Sequence, residues 1–143
     1  MKLVSLLYVS RSTLSAASAA AMVERIVAGS RARNPGLGIT GALLFTGDHF
    51  AQVLEGPAAA VDTLMASVTR DPRHEGITVA ARAPIAERQF GRWSMAYSGP
   101  SQFVARHVTR LLDDPDAASP ARQRCAEWLG DLLWEFAEGP AAR

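Results

Sequence analysis

The chain has 143 residues, which is the size of one domain with a single core. Its 15 Lys and Arg residues against 14 Asp and Glu residues give a formal net charge of +1, which argues against a module that binds nucleic acid through the phosphates. With 48% hydrophobic residues and no apolar run of the roughly 18 to 20 residues that span a bilayer, the chain is expected to be a soluble, cytoplasmic globular protein.

The first third of the chain predicts a strand, a helix and a break. Residues 2–8 are rich in strand-forming side chains and suit a strand that is buried on both faces. Apolar residues three and four apart predict an amphipathic helix over 14–32, with Ser12 or Ser15 as its N-cap. The Asn-Pro-Gly-Leu-Gly segment at 34–38 predicts the end of that helix.

The middle third predicts a hairpin and a second helix. Residues 39–45 and 50–54 read as two strands, and the Thr-Gly-Asp-His segment between them is a hairpin signal. Residues 57–69 then show helical spacing of apolar side chains, with a proline near the start.

Two more strands, at 77–83 and 92–97, complete a βαββαββ order. Two helices on one face of a mixed sheet in this order are typical of a ferredoxin-like, or split βαβ, architecture of the α+β class. The sequence therefore predicts that fold up to residue 98.

The remaining residues predict a C-terminal extension of two helices, at 101–112 and 119–136. The second helix has more large apolar side chains than a freely solvated helix tolerates. They are Trp128, Leu129, Leu132, Leu133, Trp134 and Phe136. We expect this helix to pack either on the open face of the sheet or on another subunit.

Candidate sites for metal ions and nucleophilic catalysis are hard to find in this sequence. The single cysteine, Cys125, excludes an internal disulfide and a multi-cysteine metal cage, and is expected to be a small apolar contact. The histidines at 49, 74 and 107 are too scattered to predict a metal site. The chain has no P-loop, no G-x-S-x-G elbow and no G-x-G-x-x-G motif.

Four polar or redox-capable residues fall where the pattern predicts core: Tyr8, Gln52, Trp93 and Met95. Buried polar side chains need partners, so these positions call for an explanation. Taken one at a time, each is more often ordinary core or edge-strand packing. Their joint occurrence, within longer motifs, points to a common site.

Those motifs, in this order, resemble the BLUF family of flavin-based blue-light sensors over residues 3–97. They are Tyr-Val-Ser at 8–10, Arg-Asn-Pro at 33–35, Gly-Ile-Thr-Gly-Ala-Leu-Leu at 38–44, Phe-Ala-Gln-Val-Leu-Glu-Gly-Pro at 50–57, Asp-Pro-Arg-His at 71–74 and Arg-Gln-Phe-Gly-Arg-Trp-Ser-Met at 88–95. The fold of that family is ferredoxin-like, in agreement with the strand order above.

The resemblance implies a noncovalent FAD between the two helices that pack on the sheet. By motif position, Tyr8 matches the photoactive tyrosine, Gln52 the glutamine that links it to the flavin, and Asn34 the asparagine at the other polar edge of the ring. Trp93 and Met95 match strand residues that approach the glutamine in one signalling state or the other. The implied chemistry is proton-coupled electron transfer from Tyr8, after which Gln52 is rotated or tautomerised and the flavin absorption is shifted to the red.

Ten residues are candidates for contact with the cofactor. They are Tyr8, Ile26, Arg33, Asn34, Ile39, Phe50, Gln52, Val68, Arg73 and His74. Among them, Arg33, Arg73 and His74 could reach the ribityl chain or the phosphates, and the apolar ones would form walls.

The resemblance also predicts how the chain is divided and with what it works. Residues 1–98 are expected to be the photosensory domain, and residues 99–143 a helical extension too short to act as an output domain. The signal is then expected to reach a downstream protein or a second copy in a homo-oligomer, with no role for nucleic acid or membrane.

Two rival interpretations use the same fold without light. One is a small acylphosphatase-like hydrolase, for which the segment 9–13 would be the anion-binding loop although it offers a single arginine, Arg11. The other is a dimerisation module without a cofactor. The sensor interpretation predicts no enzymatic activity.

Overall fold

The computed structural model describes residues 2–114, 116 and 118–139. It contains five strands and four helices within these residues. In chain order they are β1 (Leu3–Ser12), α1 (Ala19–Leu37), β2 (Thr40–Phe45), β3 (His49–Pro57), α2 (Ala58–Arg70), β4 (His74–Ile85), β5 (Trp93–Ser98), α3 (Gln102–Asp113) and α4 (Pro120–Glu138). Of the described helices, none is both long and apolar enough to cross a membrane.

The five strands form one sheet in the order β4-β1-β3-β2-β5. The first four pair antiparallel, and β5 joins the edge parallel to β2. This confirms the predicted ferredoxin-like βαββαββ architecture of the α+β class. The central strands β1 and β3 are buried along most of their length, which explains why their sequences are almost continuously apolar.

Helix α1 is displaced from its predicted bounds at both ends. It begins at Ala19 after Ser18, so the predicted caps at Ser12 and Ser15 were wrong: Ser12 belongs to β1, and Ser15 accepts hydrogen bonds in the turn that precedes the helix. It also continues through Pro35, because a proline in the last turn removes only one backbone hydrogen bond. The helix ends where Gly38 adopts a left-handed φ of 69°.

Strands β1 and β4 are longer than the alternation of side chains predicted. Pairing between them runs from Leu3 opposite Ile85 to Ser12 opposite His74. The segment 9–13, considered above as an anion-binding loop, is therefore mostly strand, and Arg11 forms an ion pair with Asp113 of α3. The polar ends of β1 and β4 stay in the sheet because their backbones are paired, and a pattern of apolar side chains cannot predict that pairing.

The two faces of the sheet carry separate apolar clusters. Helices α1 and α2 cover one face, over the side chains of Leu6, Tyr8, Leu43 and Trp93. Helices α3 and α4 cover the other, over Leu7, Val9, Leu44, Val53 and their neighbours.

Helix α4 lies on the open face of the sheet, one of the two alternatives predicted for it. Leu129 and Leu133 of α4 are fully buried there, and Cys125 packs beside them as a small apolar contact. Trp134 and Phe136 stay partly exposed.

Replacement by alanine is expected to change the free energy of unfolding in opposite directions at Gly41 and at Gly130. Gly41 has a φ of 144°, and a Cβ there would lie 1.9 Å from the carbonyl oxygen of Val53, so Gly41→Ala should lower the free energy of unfolding by about 3 kcal/mol or more. Gly130 is helical with nothing within 4 Å of a Cβ, so Gly130→Ala should raise it by about 0.5 to 1 kcal/mol. Urea unfolding measures both changes, and a Gly41→Ala variant as stable as the wild type would contradict the tight β2–β3 approach.

Candidate functional site

Strand register brings the predicted pair Tyr8 and Gln52 together on the face covered by α1 and α2. Tyr8 of β1 lies directly opposite Gln52 of β3, and the Gln52 Nε2 donates a hydrogen bond of 2.5 Å to the Tyr8 hydroxyl oxygen. Trp93, at the start of β5, donates from its indole Nε1 to the Gln52 Oε1 at 2.9 Å. All three side chains are buried, so water does not compete for these bonds.

The indole of Trp93 fixes which way the Gln52 amide points. An indole N–H can only donate, so the atom that faces it must be the amide oxygen. The amide nitrogen then faces Tyr8. The opposite orientation would place the NH2 group against the indole N–H, two donors in contact, and would break the bond to Trp93.

Trp93 and Met95 lie two residues apart on β5, so both side chains point to the same face of the sheet. Trp93 contacts Gln52 and is 5% exposed. Met95 lies opposite Leu43 of β2 and packs, partly exposed, against the same cluster. In this structure Trp93 therefore holds the position beside the glutamine.

A cleft of about 110 Å³ opens over Tyr8 and Gln52, between α1 and α2. It collects most of the side chains predicted to contact a cofactor. The predicted residues that line it are Tyr8, Ile26, Arg33, Phe50, Gln52, Val68, Arg73 and His74.

The two other predicted residues lie outside the cleft lining. Ile39 is buried beneath Gly56 as part of the core. Asn34 is fully buried in α1, one turn beyond Ser30 of the cleft, with its Oδ1 accepting from the Arg33 Nε at 3.1 Å. Its Nδ2 has no hydrogen-bond partner among the described residues. An unpartnered buried amide donor costs about 1 to 3 kcal/mol, so this group suits a ligand that offers a carbonyl or ring-nitrogen acceptor.

Sequence reasoning missed several residues that line the cleft. They are Arg25, Gly29, Ser30, Leu43, Leu64, Ser67 and Asp71. Helical spacing from Ile26 and Arg33 could have found Gly29 and Ser30, since residues three, four and seven apart share one face of a helix. Val68 leads in the same way to Leu64, and Ser67 lies three residues beyond Leu64. Asp71 follows the end of α2, and Leu43 requires the β2–β3 register.

Positive charge predominates around the cleft. Arg25, Arg33 and Arg73 line it, against one carboxylate, Asp71. The Arg73 Nε donates to the Asp71 Oδ1 at 2.9 Å, and this bond holds the pKa of the Asp71 carboxyl below its usual range. The balance suits a ligand that carries negative charge, such as a phosphate.

His74 links the end of α2 to the sheet beside the cleft. Its Nε2 donates to the carbonyl oxygen of Val68, which can only accept, and its Nδ1 lies 2.7 Å from the Ser10 hydroxyl. The ring packs at 6.1 Å from the ring of Tyr8 and at 5.8 Å from that of Phe50. His74 therefore positions the wall of the cleft beside Tyr8.

Burial controls the acidity of Tyr8. Removal of the phenol from water raises its pKa well above the usual range, and the hydrogen bond from Gln52 offsets part of that effect. The phenol is therefore neutral at physiological pH and does not lose its proton alone.

A protein-family model described as "BLUF: Sensors of blue-light using FAD" matches residues 3–96. Among solved structures, "BlrB - a BLUF protein, dark state structure" is 40% identical with a TM-score of 0.64, over 88% of this chain and 97% of that one. "BlsA photo-activated state" shares the fold at 24% identity, with a TM-score of 0.73 over 92% of this chain and 94% of the other.

Curated relatives are longer proteins. A photoactivated adenylate cyclase subunit alpha of Euglena gracilis is 41% identical over 44% of this chain, a match that spans 6% of that protein. The blue light- and temperature-regulated antirepressor BluF of Escherichia coli (strain K12) is 37% identical over 51% of this chain and 18% of that protein. This chain therefore corresponds to a small part of each.

The raised pKa of Tyr8 predicts a pH dependence of stability. In the unfolded chain Tyr8 ionises near pH 10, whereas the folded protein keeps the proton to higher pH. The unfolded state thus binds fewer protons above pH 10, and the stability that the neutral phenol provides is lost as the pH rises. Above pH 10 the free energy of unfolding of the wild type should fall by up to about 1.4 kcal/mol more per pH unit than that of Tyr8→Phe. Urea unfolding between pH 8 and pH 11 measures this, and curves that stay parallel above pH 10 would contradict the buried, neutral phenol.

Proposed function

Since this chain belongs to the BLUF family, sensors of blue light that use FAD, we propose that Tyr8 and Gln52 form its light-responsive switch and that Trp93 reads the state of Gln52. The observation that supports this most strongly is the continuous line of hydrogen bonds from Tyr8 through the Gln52 amide to Trp93. The indole N–H of Trp93 can only donate, so a rotation of the Gln52 amide changes its hydrogen bonds at both ends of the line.

FAD fits the residues around the cleft. Asn34 offers a buried amide donor without a partner, Arg25 and Arg33 offer charge for phosphates, and Ile26 and Val68 offer apolar walls. When bound, FAD supplies absorption of blue light and, once excited, a strong one-electron oxidant. We propose that Asn34 binds the polar edge of its ring system and that the arginines bind its phosphates.

The Tyr8 phenol is suited to release an electron and a proton together. Burial keeps it neutral, and its oxygen already accepts a hydrogen bond from the Gln52 Nε2. An oxidised phenol is a strong acid, so its proton leaves with the electron. The Gln52 amide oxygen can accept that proton once the amide turns it toward Tyr8, and when the electron and the proton return to the phenol the amide is left in a rotated or tautomeric form.

Either form of Gln52 changes the contact with Trp93. Rotation turns the NH2 group toward the indole N–H, so the bond from the Trp93 Nε1 loses its acceptor. Tautomerisation replaces the carbonyl oxygen by a hydroxyl, which still accepts that bond but also carries a proton of its own. We propose that β5 responds, with Met95 available on the same face, and passes the change to α3 and α4.

The chain is proposed to be a sensor module and not an enzyme, with residues 1–98 as the sensor and residues 99–143 as the output extension. The hydrolase interpretation is weakened because Arg11 lies in β1, paired with Asp113, and not in an anion-binding loop. The dimerisation interpretation leaves the buried Tyr8–Gln52–Trp93 line and the unpartnered Asn34 amide unexplained. A downstream protein, or a second copy in a homo-oligomer, is the proposed recipient of the signal.

Removal of either polar partner should abolish the light response. Tyr8→Phe should keep FAD bound but lose the reversible red shift of its visible absorption, because no proton and electron leave the ring. Gln52→Leu should lose the shift because the relay is gone. Absorption spectra before and after blue light measure both, and a full red shift in either variant would be incompatible with its assigned role.

Asn34→Ala serves as the control for these variants. It removes a proposed contact to FAD without touching the Tyr8–Gln52 bond. FAD should be retained less well after dialysis, while the fraction that stays bound still shows the red shift.

Transmission through β5 predicts where the backbone responds to light. Hydrogen exchange followed by mass spectrometry, in the dark and under blue light, should differ within residues 95–136, because α3 and α4 pack on the sheet that contains β5. Identical exchange of residues 95–136 in both states would contradict the proposed route.

A further inference from the structure

A second, larger cavity lies on the opposite face of the sheet. It is a groove of about 760 Å³ between the sheet and α4, within the roughly 300 to 1,000 Å³ typical of binding sites. Leu7 and Val53 form part of its floor. Leu7 directly precedes Tyr8 and Val53 directly follows Gln52 in the chain, and side chains of neighbouring strand residues point to opposite faces. The groove therefore lies directly behind the proposed switch.

Every charged side chain that lines this groove is acidic. Glu127, Asp131 and Glu135 lie along α4 at intervals of four residues, and Glu55 lies in the sheet. No ion pair within the described part of the chain involves any of them. Apolar side chains, among them Phe90 and Ala126, complete the floor.

Glu55 adds a buried carboxylate to the acidic residues that line the groove. Its residue is 1% exposed, and its carboxylate accepts hydrogen bonds from the backbone N–H groups of Gln89 and Phe90 and from the Thr40 hydroxyl. The Arg88 Nη1 donates to the Thr40 hydroxyl and to the carbonyl oxygen of Glu55, and it makes no ion pair with the carboxylate. Neutral donors therefore hold the Glu55 carboxylate, with the nearest described guanidinium one hydrogen bond further away.

Trp134 provides an aromatic surface at the mouth of the groove. Its indole Nε1 donates to the carbonyl oxygen of Gln89 at 3.2 Å, which fixes the ring, and the residue is 37% exposed. A fixed and accessible indole ring beside carboxylates favours a guanidinium or ammonium group.

We propose that this groove binds an arginine-bearing, amphipathic segment of a partner protein. This inference rests on the proposed function, because it assigns a binding surface to the protein that receives the signal. Carboxylates four residues apart on a helix repeat every 6 Å or so, close to the roughly 6.7 Å between alternate side chains of an extended peptide. Arginines at alternate positions therefore match the α4 carboxylates. The apolar residues between them match the floor.

Binding of a designed peptide tests the proposal. The probe is a short peptide of alternating arginine and leucine with a dye excited by red light, so that the measurement does not drive the photoreaction. Fluorescence anisotropy with the FAD-loaded protein in darkness should give saturable binding. Replacing each arginine by citrulline, which keeps the shape but removes the charge, should weaken binding by roughly tenfold or more.

Protein variants locate the binding surface. Asp131→Lys with Glu135→Lys should weaken binding by roughly tenfold or more. Glu24→Lys with Glu75→Lys, two exposed positions outside the groove, makes the same change in net charge and should leave binding within about twofold. Gly130→Met should also weaken binding, because a side chain there enters the groove and meets no atom within 4 Å at its Cβ.

The proposal would be overturned by the absence of saturable binding, or by equal weakening of binding in the two double variants. It would also be overturned if an equal concentration of spermidine displaced the peptide fully, because a small cation would then be sufficient for binding. The visible absorption of the same samples before and after blue light is recorded independently. A normal red shift with no peptide binding rejects the groove alone, whereas loss of the red shift in the wild type rejects the proposed function.

Discussion

The structure of this site depends on one chemical constraint: an indole N–H can donate a hydrogen bond and cannot accept one. Trp93 therefore requires the amide oxygen of Gln52, and the amide nitrogen is left for Tyr8. Because the three groups are buried, an unmade bond cannot be replaced by water without cost. A rotation of the Gln52 amide would therefore disturb the hydrogen bonds to both neighbours.

The rest of the fold holds this line in place. The β1–β3 register sets Tyr8 opposite Gln52, and the pairing of β2 with β5 places Trp93 opposite Gly41. The absence of a side chain at Gly41 permits β2 to lie close to Val53 of β3. Glu55 fixes the loop before β5 through backbone N–H groups of that loop. Helices cover both faces, so the cleft over Tyr8 and the groove behind it share one layer of strands.

The sequence predicted the strand order and the principal side chains because both leave local signals. Apolar residues recur at a different spacing in strands than in helices, so the order of the elements along the chain can be predicted. The motifs around Tyr8 and Gln52 are distinctive as a set. Other features depend on contacts that are distant in the chain. Pro35 remains helical because it falls in the last turn of α1, and Leu43 enters the cleft through the pairing of β2 with β3. The unpartnered amide of Asn34 could not be predicted either, since it depends on what surrounds a buried residue.

The central claim is that light absorbed at this site changes the hydrogen bonds of Gln52. The most direct measurement is the visible absorption spectrum of the purified wild-type protein before blue light, immediately after it, and after return to darkness. We expect flavin bands that shift slightly to the red on illumination and return fully in the dark. A colourless protein, or flavin bands that light does not shift, would contradict the account.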